Sequence, residues 1–164
     1  MEKILVQRSD KISFMKVGES INRMQGFTAM TINKNIKEYT RQYVDENFEQ
    51  SDATGYSPSM ECGFDQYKGD VVHDMIVEMI DAEVLGSNAI VEIYTIDLTK
   101  AGKVEGNFLT SKRQYSLQAG TEGDSMDAYT YSFTLKTKSK RELGEGKLSE
   151  DELTLTYTTP TPEV

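Results

Sequence analysis

Only one stretch of this chain has the spacing of an amphipathic helix, and nearly everything else alternates as strands do. Between Asp70 and Leu85, about 100° per residue puts Val72, Met75, Ile76, Met79 and Ile80 on one face. Asp74, Glu78 and Asp81 line the opposite side. Asp70 suits an N-cap and Gly86 a C′ residue, so a helix over 70–85 is punctuated at both ends. Glu83 falls on the apolar side of that projection, so the last turn is expected to fray or rotate. A turn-and-strand segment leads in, from Gly55-Tyr56-Ser57-Pro58-Ser59-Met60 to Gln66-Tyr67-Lys68-Gly69-Asp70. One helix among many strands predicts a mainly β domain whose sheet is covered on one side by that helix.

The strand signal is clearest late in the chain. From Ala128 to Lys136, Tyr129, Tyr131, Phe133 and Leu135 alternate with Thr130, Ser132, Thr134 and Lys136. Arg113–Ala119 alternates likewise, with Gln114, Ser116 and Gln118 opposite Tyr115, Leu117 and Ala119, and Leu153–Thr158 repeats the pattern. One face is therefore aliphatic and aromatic, and the other is small, polar and uncharged, a wet wall without attraction for a charged polymer. Gly120–Ser125 reads as a polar turn and Ala89–Ile96 as a further strand. Earlier, Phe27–Ile32 and Ile36–Tyr43 read as strands about a turn at Asn33–Asn35. Asp45–Thr54 holds Asp45, Glu46, Glu49 and Asp52 with no basic residue, and reads as a long mobile loop. Residues 1–25 read as a loosely ordered lead-in, 26–158 as one β domain, and 159–164 as a frayed tail.

At 164 residues the chain is long enough for one domain with a real core. With 27 acidic against 18 basic side chains the net charge is −9, which disfavours a phosphate-binding surface. Charge is also segregated: residues 69–99 contain seven carboxylates and no Lys or Arg. Lys136, Lys138, Lys140 and Arg141 form a basic cluster at a strand end, suited to an acidic patch on another subunit. Cys62 is the only cysteine, so no internal disulfide can form and a reducing compartment is expected. The amino-terminal residues lack the apolar core of a signal peptide, and no run approaches the length of a membrane span, so a product cytoplasmic at synthesis is expected.

No catalytic, cofactor or metal constellation emerges. His73 is the only histidine and flanks the apolar helix face, the place of a structural residue rather than of a triad base. Cys62 would need a pKa-lowering neighbour to act as a nucleophile, and a small buried hydrophobe is the simpler reading. Asp74, Glu78 and Asp81 share a helix face that reads as solvated, with no calcium-loop pattern beside them.

Several segments resemble the tail tube (major tail) proteins of long-tailed phages, especially those infecting Firmicutes. They are Gly26-Phe27-Thr28-Ala29-Met30, Lys37 through Glu46, Gly55-Tyr56-Ser57-Pro58-Ser59, and the Gln66-Tyr67 approach to the helix. The resemblance implies a β-sandwich or barrel-like subunit with a flanking helix. It implies hexameric rings stacked into a hollow tube that conducts DNA during ejection, with no cofactor and no membrane. It further implies a tail tip or baseplate initiator, a tape measure and a terminator as partners, in a virion tail assembled in the host cytoplasm. In these terms Asp45, Glu46, Glu49 and Asp52 would lie on a ring-to-ring loop. Gln114, Ser116, Gln118, Thr130, Ser132 and Thr134 would face the lumen or water, and the basic cluster would meet a neighbour. A tube subunit of a type VI or tailocin-type particle shares these features. A small β-barrel binding an apolar ligand is the alternative from another class.

Overall fold

A computed structural model of the chain describes residues 1–159. Among them are eleven strands: β1 (Lys11–Val17), β2 (Ser20–Arg23), β3 (Phe27–Asn33), β4 (Ile36–Arg41), β5 (Gln50–Tyr56) and β6 (Ser59–Asp65), then β7 (Ile90–Ala101), β8 (Phe108–Glu122), β9 (Thr130–Thr137), β10 (Glu142–Leu148) and β11 (Leu155–Thr158). One helix, α1 (Val71–Asp81), separates β6 from β7. The mainly β, one-helix architecture agrees with the strand and helix periodicities.

The long strand β8 organises everything. One of its edges pairs with β7; its other edge pairs with β10 over Phe108–Lys112 and with β9 over Tyr115–Glu122. The sheet therefore forks. One branch runs β2-β1-β7-β8-β10-β11 and curls back on itself, because an Asn22–Thr154 bridge and the Arg23 N–H donating to the Leu153 carbonyl join its ends. The other branch continues from β8 as β9-β6-β3 and stops at β3, which pairs with β6 alone.

Two cores follow from the fork. Inside the curled branch, Ile12, Phe14, Tyr94, Ile96 and Leu155 pack together. On the other face, α1 lays Val72, Ile76 and Ile80 over Met15, Ile93, Leu117, Phe133, Leu135 and Met60. Each fully buried aliphatic side chain is worth about 1.5–3 kcal/mol of transfer free energy, so these three residues suffice to hold the helix down. Phe14 and Met15 are adjacent and both wholly buried, one in each core.

That finding corrects the lead-in expected over residues 1–25. Regular structure begins near Arg8, and β1 is a central strand. A strand buried on both faces shows no alternation, which is why Ile12-Ser13-Phe14-Met15 reads as a broken apolar patch.

The helix is shorter than the expected 70–85. Asp70 caps it, its carboxylate accepting from the Val72 and His73 N–H groups. It ends at Asp81, because Glu83 enters the left-handed region at φ +51°. The Glu83 N–H then donates to Ile80 and the Val84 N–H to Met79, the paired bonds of a Schellman turn. Helical continuation would have pressed the Glu83 carboxylate onto the core. Gly86 instead opens a short 3₁₀ turn, Gly86–Ala89.

Two loop expectations are also corrected. Asp45–Thr54 is half strand, since Gln50–Thr54 belongs to β5, which pairs antiparallel with β4 as a separate two-stranded arm. Gly120–Glu122 belongs to β8 rather than to a turn. A Cβ on Gly120 would lie 2.8 Å from the Ser132 carbonyl oxygen, at the irregularity where β8 and β9 change register. Of the tail, Pro160–Val164 lie outside the described residues.

Candidate assembly surface

The open branch carries the polar wall. Register puts Gln118, Thr134, Glu61 and Thr31 in one row across β8, β9, β6 and β3, and Ser116, Lys136, Ser59 and Asn33 in the next. Thr130 and Ser132 continue it beside Asp65 and Gly63. Five of the six residues expected on a wet face thus share one side, away from α1, and the sixth, Gln114, lies further along β8 on the same side. Opposite them, Leu117, Leu135 and Met60 face the helix. Near Gln114 the wall is charged but self-neutralising: Glu92 lies between Lys16 at 3.8 Å and Lys112 at 3.9 Å, and accepts from Gln114 and Tyr94. Burial works against the Glu92 carboxylate, but those hydrogen bonds and cations prevail and hold its pKa below the ordinary value.

Both side edges of this branch are open. Among the described residues, no strand pairs with the outer edge of β3, and none pairs with β8 beyond Ser116 on its β7 side. Open edges of this kind are templates for another chain.

At one end of the wall lie Lys136, Lys138, Lys140 and Arg141, all exposed. Among the described residues none of the four has an ion-pair partner. The link is anchored to β8, with the Lys138 N–H donating to the Gln114 carbonyl and the Gln114 N–H donating to Ser139 Oγ. The β8–β10 register, Glu142 opposite Lys112, brings Arg141 beside Arg113. Burial raises the pKa of the neighbouring Tyr115, and both arginines oppose that rise. The Arg113 Nε is buried and has no hydrogen-bond partner. Periodicity gives no hint of this pairing, because residues 113 and 141 meet only through the sheet.

The β4–β5 arm leaves from the same end, where the Thr137 N–H donates to Pro58 at the arm's root. Asp45, Glu46 and Glu49 lie at its tip, whereas Asp52 is on β5 and ion-pairs with Arg41 at 2.5 Å. Arg41 also donates to Tyr43, and the hydrogen bonds to Tyr43 and Asp52 raise its pKa; its guanidinium lies over the rings of Tyr39 and Tyr43. Along the arm Ile36, Tyr39, Val44, Phe48 and Tyr56 are all more than half exposed. Neither face of the ribbon rests on the body.

The residues weighed for catalysis have structural positions. His73 is wholly buried; its Nδ1 accepts from the Tyr67 N–H, which makes Nε2 the donor to the Gln25 carbonyl. Cys62 is buried in the helix-side core, and burial pushes its thiol up to about 12. Asp74, Glu78 and Asp81 are exposed, and no group of metal-ligating side chains occurs among the described residues. Among the described residues no helix is long and apolar enough to cross a membrane.

No family model matches the chain, and no curated protein matches it. Two solved structures are similar in outline. A chain of the sheath–tube complex of an extracellular contractile injection system (PVC), in its extended state, is 13% identical over 85% of this chain and 90% of its own, with TM-score 0.46. A chain of the anti-feeding prophage baseplate is 8% identical over 87% and 97%, also with TM-score 0.46. At those values neither likeness carries an argument about role.

Proposed function

We propose that this chain is the structural subunit of a hollow tube of the phage tail type. Six subunits close into a ring, the four wall strands of each joining those of its neighbours edge to edge, and rings stack into a conduit for DNA. The observation that carries the reading is the wall itself: small, mostly uncharged polar side chains on the face away from the helix, between two open strand edges. Joining β3 of one copy to the free stretch of β8 in the next removes both edges at once.

The wall chemistry suits a passage rather than a binding site. Its central row carries one carboxylate and no cation, and the chain's net charge of −9 repels a polyanion. The helix takes the outside of the barrel, and the arm reaches from one ring toward the next, with Asp45, Glu46 and Glu49 at its tip. A tail tip or baseplate initiator, a tape measure and a terminator are its assembly partners, in a virion tail built in the host cytoplasm. The tubes of type VI and tailocin-type particles belong to the same class of assembly. A ligand-binding barrel is disfavoured, because Phe14, Ile96 and Thr110, wholly buried, fill the curled branch. Light scattering across a concentration series, with electron microscopy of the same samples, tests the reading. Ring- or tube-sized species are expected, and a monomer at every concentration and salt overturns it.

A further inference from the structure

The arm presents a problem of stability that another copy of the chain can solve. A two-stranded ribbon with both faces in water is marginal on its own. Its tip adds an exposed Val44 and Phe48 to the carboxylates of Asp45, Glu46 and Glu49. No Lys or Arg occurs from residue 42 to residue 67, and Arg41, at the base of the tip, is already paired with Asp52.

A surface of matching chemistry lies on the outside of the curled branch. The turn between β7 and β8 and the strand β10 bound an open groove of about 530 Å³, floored by Leu109, Leu143 and Val104. Leu143 and Val104 are 48% and 60% exposed. Leu109, Ser111 and Arg113 alternate onto this face of β8, so the groove runs toward the Arg113–Arg141 pair. Both arginines lie close enough to Tyr115 to oppose its rise in pKa; Arg113 hydrogen-bonds to that side chain but leaves its own Nε unpartnered, and among the described residues neither arginine has an ion-pair partner. The one carboxylate in the groove, Glu145, is already engaged, accepting from the Lys103 N–H and from Asn107 Nδ2. The groove thus offers an apolar floor, with Arg113 and Arg141 beyond it on the same face of the sheet, and the tip offers apolar side chains flanked by acids.

We propose that the arm tip of one copy docks in this groove of a second copy, Phe48 against Leu109 and Leu143, with the tip carboxylates on Arg113 and Arg141. The contact is heterologous, tip into groove, so each copy keeps a free tip or a free groove and the contact propagates. It rests on the tube reading in naming which face of a neighbour the arm reaches.

The test is a disulfide trap in the full chain, with Cys62 buried and out of reach. Protein carrying Phe48→Cys is mixed with protein carrying Leu143→Cys and oxidised; a second mixture replaces Leu143→Cys with Glu122→Cys, at the far end of β8. Cross-linked heterodimer is expected at about tenfold higher yield in the first mixture, and Arg141→Glu with Arg113→Glu should lower it by a similar factor. Reversing Glu46 and Glu49 to Lys in the partner should restore it. Equal yields in the two mixtures overturn the proposal, as does a yield indifferent to the arginine reversal. A trap that forms only after residues 160–164 are removed also overturns it, and assigns the groove to the chain's own end. Microscopy of the untreated protein separates the two readings. Tubes without the trap leave the tube reading and sink the docking; the trap without rings or tubes does the reverse.

Discussion

Replacing His73 by Phe tests whether the only histidine is structural. Its ring sits 4.6 Å from Phe64 and 5.9 Å from Phe27, centroid to centroid, so a phenyl group fits the same slot and keeps those contacts. What it cannot keep is the pair of hydrogen bonds that tie the β2–β3 turn, through the Gln25 carbonyl, to the approach of α1, through the Tyr67 N–H. Each orphaned buried backbone group costs about 1–3 kcal/mol, partly offset by the more apolar ring, for a net loss of about 2–4 kcal/mol. In a domain of this size that lowers Tm by roughly 5–15 °C. Gly26 should behave as part of the same joint: its φ is +72°, and a Cβ there would lie 3.1 Å from His73 Cε1. Urea unfolding followed by circular dichroism measures the loss, and light scattering shows whether the folded variant still assembles. An unchanged midpoint would refute the staple, and unchanged stability with abolished assembly would give His73 a role at an interface.

Glu83→Gly relieves a left-handed residue at the helix end and should stabilise the chain by about 0.5–1 kcal/mol; a lower Tm would contradict the Schellman assignment. Cys62 should resist thiol reagents in the folded state, since moving its pKa from 9.0 to about 12 alone removes about a thousandfold of the thiolate at mildly alkaline pH. Labelling as fast as in denatured protein would place it outside the core. Glu92 has a lowered folded pKa, so its contribution is present above the ordinary value of 4.5 and is lost as pH falls through the folded value. Glu92→Gln should therefore cost stability near neutral pH and progressively less in acid, and a pH-independent difference in urea midpoint would count against the Lys16–Glu92–Lys112 cluster.

How much of this was legible in sequence depends on whether one face of an element was buried. Tyr131, Phe133 and Leu135 alternate with Thr130, Ser132 and Thr134 because β9 has one face under the helix and one in water. β1 was not readable, because both of its faces are buried and Phe14 and Met15 erase the period. β5 was not readable for the opposite reason, since Gln50–Tyr56 buries neither face and needs no apolar set. Alternation could assign Gln114, Ser116, Gln118, Thr130, Ser132 and Thr134 to one side of their strands, whereas the open edges were not legible, because they depend on which strands pair. The Arg113–Arg141 pair and the groove beside it were equally hidden, being made by strands far apart in the chain.

The central claim is that the wall of β8, β9, β6 and β3 lines a hollow assembly. Electron microscopy of the concentrated protein, carried to a reconstruction of whatever forms, tests it most directly. The account predicts six-fold rings or tubes with the Gln118, Thr134, Glu61 and Thr31 row facing the lumen and α1 outside. Rings with the helix turned inward, or no ring or tube at any concentration, would contradict it.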